Sequence, residues 1–148
     1  MALKEIIKNR IVENETADLK SLKEMYAVHA GAADLDEESS LGHEDFAKQD
    51  ESRESARSLQ GRINRAQNLL DAFLQLDFGP KSSVEAGALV LTDSLNFFVG
   101  IASAAFEHEG KSYIGLNMDA PIYEVLRGAK AGDEVVFNEQ KYKIAEIL

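Results

Sequence analysis

Apolar residues recur along the first half of the chain at helical spacing. Leu3, Ile7, Ile11, Leu19, Leu22 and Tyr26 form a stripe near period 3.6, which predicts a helix from Leu3 to Ala33. Asn14 and Glu15 interrupt its apolar face, and the small run Ala30 to Ala33, around Gly31, reads as its end. A cleaner pattern follows at Ala56, Leu59, Ile63, Ala66, Leu70 and Phe73, with successive spacings of 3, 4, 3, 4 and 3. That is a heptad seam, and a seam of this kind requires a facing helix, from the same chain or from a second subunit. Followed backwards it meets Ser52, Gln49 and Asp45, so the seam turns polar. Two helices of about thirty residues joined by a short loop predict an antiparallel hairpin ~45 Å long. Gly61 sits inside the second helix at an expected cost of ~1 kcal/mol relative to alanine.

The pattern changes at Phe78-Gly79-Pro80. Beyond it come short β-rich runs separated by turns: residues 88–92, 97–102, 113–117, 134–137 and 142–148. Pro121 opens a short helical segment that ends near Gly128. The expected organisation is α+β. Residues 1–77 make an antiparallel coiled-coil hairpin, and residues 78–148 make a small, mainly antiparallel sheet domain with one short helix.

Charge sharpens this picture at one place. The chain has 148 residues and a net charge of −10, which argues against a sequence-specific nucleic-acid surface and against docking on an anionic membrane. Residues 34–54 hold nine carboxylates against two bases, Lys48 and Arg53, while the rest of the first 77 residues is close to neutral. The run falls where the two predicted helices meet, so the hairpin has an acidic tip. Within it, Asp34, Asp36, Glu37 and Glu38 belong to the loop, and Glu44 and Asp45 suit the first turn of the return helix after an N-cap at Ser39 or Ser40. With no cysteine there is no disulfide, thiolate metal site or cysteine nucleophile. No window approaches a membrane span, and a cytoplasmic protein is expected. No nucleotide-binding glycine loop, GxSxG or HExxH pattern occurs, so no independent catalytic constellation competes.

The ungapped stretch from Ala120 to Asp133, APIYEVLRGAKAGD, resembles the S-P-I-G-x-A-L-L-G-K-x-x-G-D pattern of the Gre transcription factors. Pro121, Ile122, Leu126, Gly128, Gly132 and Asp133 coincide with it, while Ala120 stands for its serine and Tyr123 for its glycine. The order of a helical hairpin followed by a small domain is also similar to that family, whose C-terminal domain has an FKBP-like sheet.

The resemblance implies a partner, bacterial RNA polymerase, whose secondary channel receives the hairpin. The small domain would hold the channel rim, here through Pro121, Ile122, Tyr123 and Arg127. Two carboxylates of a D-L-x-E-N tip motif would help hold a Mg²⁺ shared with the polymerase, which cleaves backtracked RNA itself. The chain would bind no metal stably and carry no catalytic residue of its own. Asp34-Leu35-Asp36-Glu37 resembles the tip motif, but Glu38 stands where it has Asn. Spacing back from Arg62-Ile63 by the family's interval lands instead on Gly42, beside Glu44 and Asp45. Asp34 and Glu37 are favoured, with Glu44 and Asp45 as the alternative.

Two further readings use the same architecture. One is a non-cleaving occupant of the channel. The other is a regulator or adaptor of a different protein, as described for the Gre-like regulator of nucleoside diphosphate kinase. A fatty-acid condensing activity, a label some divergent Gre-like chains carry, is excluded because it needs a cysteine nucleophile. A monomer or weak dimer is expected.

Overall fold

The structure, a computed structural model, describes residues 2–33 and 43–148, with side chains described over 2–31 and 50–148. Two long helices, α1 (Leu3–Ala33) and α2 (His43–Leu74), form the N-terminal helical hairpin. They are followed by β1 (Leu89–Thr92), β2 (Asn96–Val99), β3 (Ser103–His108), β4 (Lys111–Leu116), α3 (Pro121–Leu126), β5 (Glu134–Phe137) and β6 (Gln140–Ile147). The fold is α+β. The chain divides into two compact units, one comprising Met1–Asn14 with Leu70–Leu148 and the other Glu15–Leu69.

In the unit Glu15–Leu69, Leu19, Ala56, Leu59 and Ile63 are buried while Leu22, Tyr26 and Ala66 are half-buried. An isolated helix could not bury such a stripe, so the helices cover each other along the heptad seam. Asn14 and Glu15, where the α1 stripe is interrupted, are half-buried; burial, reinforced by Asp18, pushes the Glu15 carboxyl above its ordinary range. At Gly61 a methyl group would meet only the movable guanidinium end of Arg65, at 3.3 Å. Gly61→Ala is therefore expected to stabilise the hairpin by about 0.5–1 kcal/mol, through helix propensity and a less flexible unfolded chain. A higher helical melting midpoint by circular dichroism checks this; a lower one would mean that the Arg65 contact cannot yield.

In the other unit a six-stranded sheet runs in the order β3-β4-β2-β1-β6-β5. β2 and β4 pair in parallel and the remaining neighbours are antiparallel. Every residue of β2 is buried, because both faces of that strand are covered. On one face Phe97 joins a core of Val90, Leu116, Tyr123, Leu126, Tyr142 and Ile144, with α3 contributing the Tyr123 and Leu126 side chains. On the other, Phe98 meets Phe73 and Phe78, with ring centroids 5.6 and 6.0 Å away. The first turns of α1 belong to this unit: Ile7 and Ile11 are fully buried, Lys8 lies over the Phe78 ring, and Arg10 lies over Phe106. At the end of β2, Gly100 has φ of +143°, and a side chain there would run into Leu76 and Phe73.

Sequence patterning marks five strands, and the described residues form six. The additional one is β3, whose Ser103-Ala104-Ala105 start has little β-propensity and whose pattern of half-buried and exposed residues gives no apolar alternation. Its turn to β4 was legible: Glu109 and Gly110 both have positive φ, as a two-residue hairpin turn requires. Asn138 and Glu139 do the same between β5 and β6. Among the described residues no helix is long and apolar enough to cross a membrane.

Candidate functional site

The acidic run is divided by the helix boundaries. Asp34, Asp36, Glu37 and Glu38 lie between Ala33, the last residue of α1, and His43, the first of α2; they fall outside the described residues, as do Ser39 and Ser40. Glu44 and Asp45 are in the first turn of α2, where backbone N–H groups lack helical partners and carboxylates are favoured. Further along, Asp50, Glu51 and Glu54 are exposed, while Ser52 and Ser55 are half-buried and Ala56 is buried. The acids of this segment therefore occupy the outer face of α2, and small polar residues replace apolar ones toward the seam. Arg53 pairs with Asp50 at 3.5 Å with both side chains largely exposed, a contact worth little in water.

The segment 120–133 forms α3 and the turn after it. Ala120 occupies the N-cap without a side-chain hydrogen bond, and Pro121 takes the first helical turn. Pro121 and Arg127 are exposed, Ile122 is half-buried, and Tyr123 is 8% exposed within the sheet core. Val125, four residues after Pro121 and so on the same helical face, is also exposed, as is Met118. The spacing of Pro121 and Val125 was available in the sequence as a signal that both share a surface.

The turn glycines have structural roles. Gly128 and Gly132 have φ of +79° and +94°, and the Gly128 N–H donates to the Val84 carbonyl at 3.0 Å. The Asp133 carboxylate accepts from the Lys130 N–H at 2.8 Å, closing the turn into β5. Phe97 and Tyr142, 5.5 Å apart, are packed in the core. Among the described residues no three His, Cys, Asp or Glu side chains come together as a metal site.

No protein-family model matches the sequence, and no curated protein matches it. Among solved structures the chain is similar to the crystal structure of GreA factor homolog 1 (Gfh1) of Thermus thermophilus. The identity is 15% and the TM-score 0.38, over 93% of this chain and 94% of that one. A second structure, of the transcription factor Gfh1, matches at the same identity and TM-score over 93% of this chain and 92% of its own. The functional reading is accordingly carried by the residues of this chain.

Proposed function

We propose that this chain is a Gre-like factor that binds bacterial RNA polymerase through the secondary channel and modulates elongation, or cleavage of backtracked RNA, by its acidic tip. The polymerase performs the chemistry. The observation that carries the reading is the position of the acidic run. Four carboxylates fall between the last residue of α1 and the first of α2, and two more open α2. The helices they join span 31 and 32 residues, or ~45 Å each at 1.5 Å per residue. A buried metal-dependent active centre is reached only by a thin element of that kind, and Mg²⁺ takes hard oxygen ligands. Asp34 and Glu37 are the residues that would hold a Mg²⁺ shared with the polymerase, where the metal would supply charge stabilisation. Pro121, Ile122 and Arg127, on and just after α3, form the docking segment of the sheet domain, with Tyr123 anchoring it from beneath.

A second reading keeps the docking and drops cleavage. Glu38 in place of the tip Asn, and the offset between Asp34 and Arg62-Ile63, favour it.

Mixing the purified chain with core RNA polymerase is the deciding experiment, with co-elution of the two expected. Added to a backtracked elongation complex, the chain shortens the RNA from its 3′ end under the first reading. It slows nucleotide addition without shortening under the second. Failure to co-elute overturns both and moves the assignment to an adaptor of another protein.

A further inference from the structure

In the unit that carries the sheet, a cavity of about 510 Å³ opens between the first turns of α1, the segment after α2 and the end of β6. That volume is in the range of small-ligand sites. Its walls are mainly apolar, formed by Leu3, Phe78, Ile147 and Leu148. Among the described residues its charged side chains are Lys4, Lys8, Lys81 and Glu5, with Asp77 and Glu85 paired to Lys81. In a chain with a net charge of −10, three ammonium groups around one apolar cavity are unexpected as solubilising charge.

Each of the three is positioned. The Lys4 ammonium donates to the Gly79 carbonyl at 2.9 Å, and Lys8 lies 4.4 Å from the centre of the Phe78 ring. Lys81, whose side chain is only 11% exposed, reaches Asp77 and Glu85, both at 3.4 Å. The Asp77 carboxylate is itself held by the Gly79 N–H at 2.8 Å. An ammonium has three N–H donors, so the single carbonyl bond of Lys4 leaves donor capacity beside the cavity. Burial, and then the charge of Lys81, push the Lys4 ammonium below its ordinary pKa, with Asp77 and Glu85 opposing the shift.

We propose that this cavity binds a small amphipathic anion, with its apolar body against Leu3, Phe78 and Ile147 and its carboxylate or phosphate head on Lys4 and Lys81. The polymerase reading plays no part in this site.

Isothermal titration calorimetry on the full chain tests it, with octanoate, octyl phosphate, octanol and inorganic phosphate as probes. Saturable one-to-one binding of octanoate or octyl phosphate is expected, the tighter of the two identifying the head group. Octanol and inorganic phosphate should bind at least about tenfold more weakly than that probe, because each lacks one half of the recognition. Lys4→Met should weaken the anion to a similar extent. Leu3→Trp, which fills the cavity and leaves every lysine in place, should abolish binding with an unchanged far-ultraviolet spectrum. Lys23→Met, a lysine outside the cavity lining, should bind as the wild type does. Absence of saturable binding by both amphipathic anions overturns the proposal. So does octanol binding as tightly as they do, an equal loss in Lys23→Met, or retained binding in a folded Leu3→Trp variant.

Discussion

Alanine at both Asp34 and Glu37 is expected to bring shortening of backtracked RNA down to the rate of the polymerase alone while leaving co-elution with the polymerase unchanged. The loss should be ~10²-fold or more, the scale seen when charge that acts mainly on a transition state is removed. Under the proposed function binding should persist because it would be spread over the hairpin and the α3 segment, whereas the tip carboxylates would act at the reacting centre. Glu44→Ala with Asp45→Ala is the matched control. These two lie in the first turn of α2, so their removal should cost helix stability of about 0.3–1 kcal/mol each and little activity. The reverse outcome, with cleavage lost only in the Glu44/Asp45 pair, would move the tip to the start of α2. If the chain never shortens RNA but slows nucleotide addition, the same two pairs identify which carboxylates block the channel.

Gly115→Ala is expected to be the most destabilising single methyl addition to the sheet. Gly115 lies in β4, between β3 and β2, opposite Ser103 and Phe98. A Cβ at this position would overlap the Ile101 carbonyl oxygen and the Ser103 hydroxyl, and would stand 2.8 Å from the Ser103 backbone nitrogen. Two of these obstacles are backbone and cannot rotate away. The Ser103 hydroxyl also accepts the Gly115 N–H at 3.0 Å, so relief by moving Ser103 breaks that bond. A loss of about 3 kcal/mol follows, or ~8 °C in melting temperature for a chain of this size. Gly110→Ala separates crowding from backbone strain. Gly110 has φ of +78° with nothing near its missing side chain, so alanine there should cost only about 1 kcal/mol. Equal melting temperatures for the two variants would show that the sheet yields around residue 115.

Much of the fold was legible because burial in it follows simple periodicity. The α2 heptad from Ala56 to Phe73 is buried or half-buried at every position named from sequence, since a helix covered on one side exposes a fixed angular pattern. The start of α3 at Pro121 and the turns at Glu109-Gly110 and Asn138-Glu139 were legible for a local reason: proline's fixed φ, and the positive φ that tight hairpins demand.

The candidate sites were legible to different degrees. Carboxylate density alone picks out residues 34–54, but register, which charge does not encode, would decide whether Asp34 and Glu37 or Glu44 and Asp45 serve as the proposed tip. In the segment 120–133, motif spacing finds Pro121 and Arg127 on the surface and equally selects Tyr123, whose ring is in the core. Residue type does not distinguish a tyrosine that docks from one that packs.

By itself, the sequence determined the helical pair, the acidic connection between its helices, the change to β structure after Pro80 and the absence of cysteine chemistry. All of these depend on composition or on contacts within a few residues. Tertiary structure alone decided that β2 lies parallel to β4, that Ser103–His108 is an edge strand, and that Gly115 must lack a side chain. It also gathered Lys4, Lys8 and Lys81, up to 77 residues apart in sequence, around one apolar cavity. Such juxtapositions arise from long-range packing of surfaces whose partners are distant in the chain, and local patterning carries no record of them.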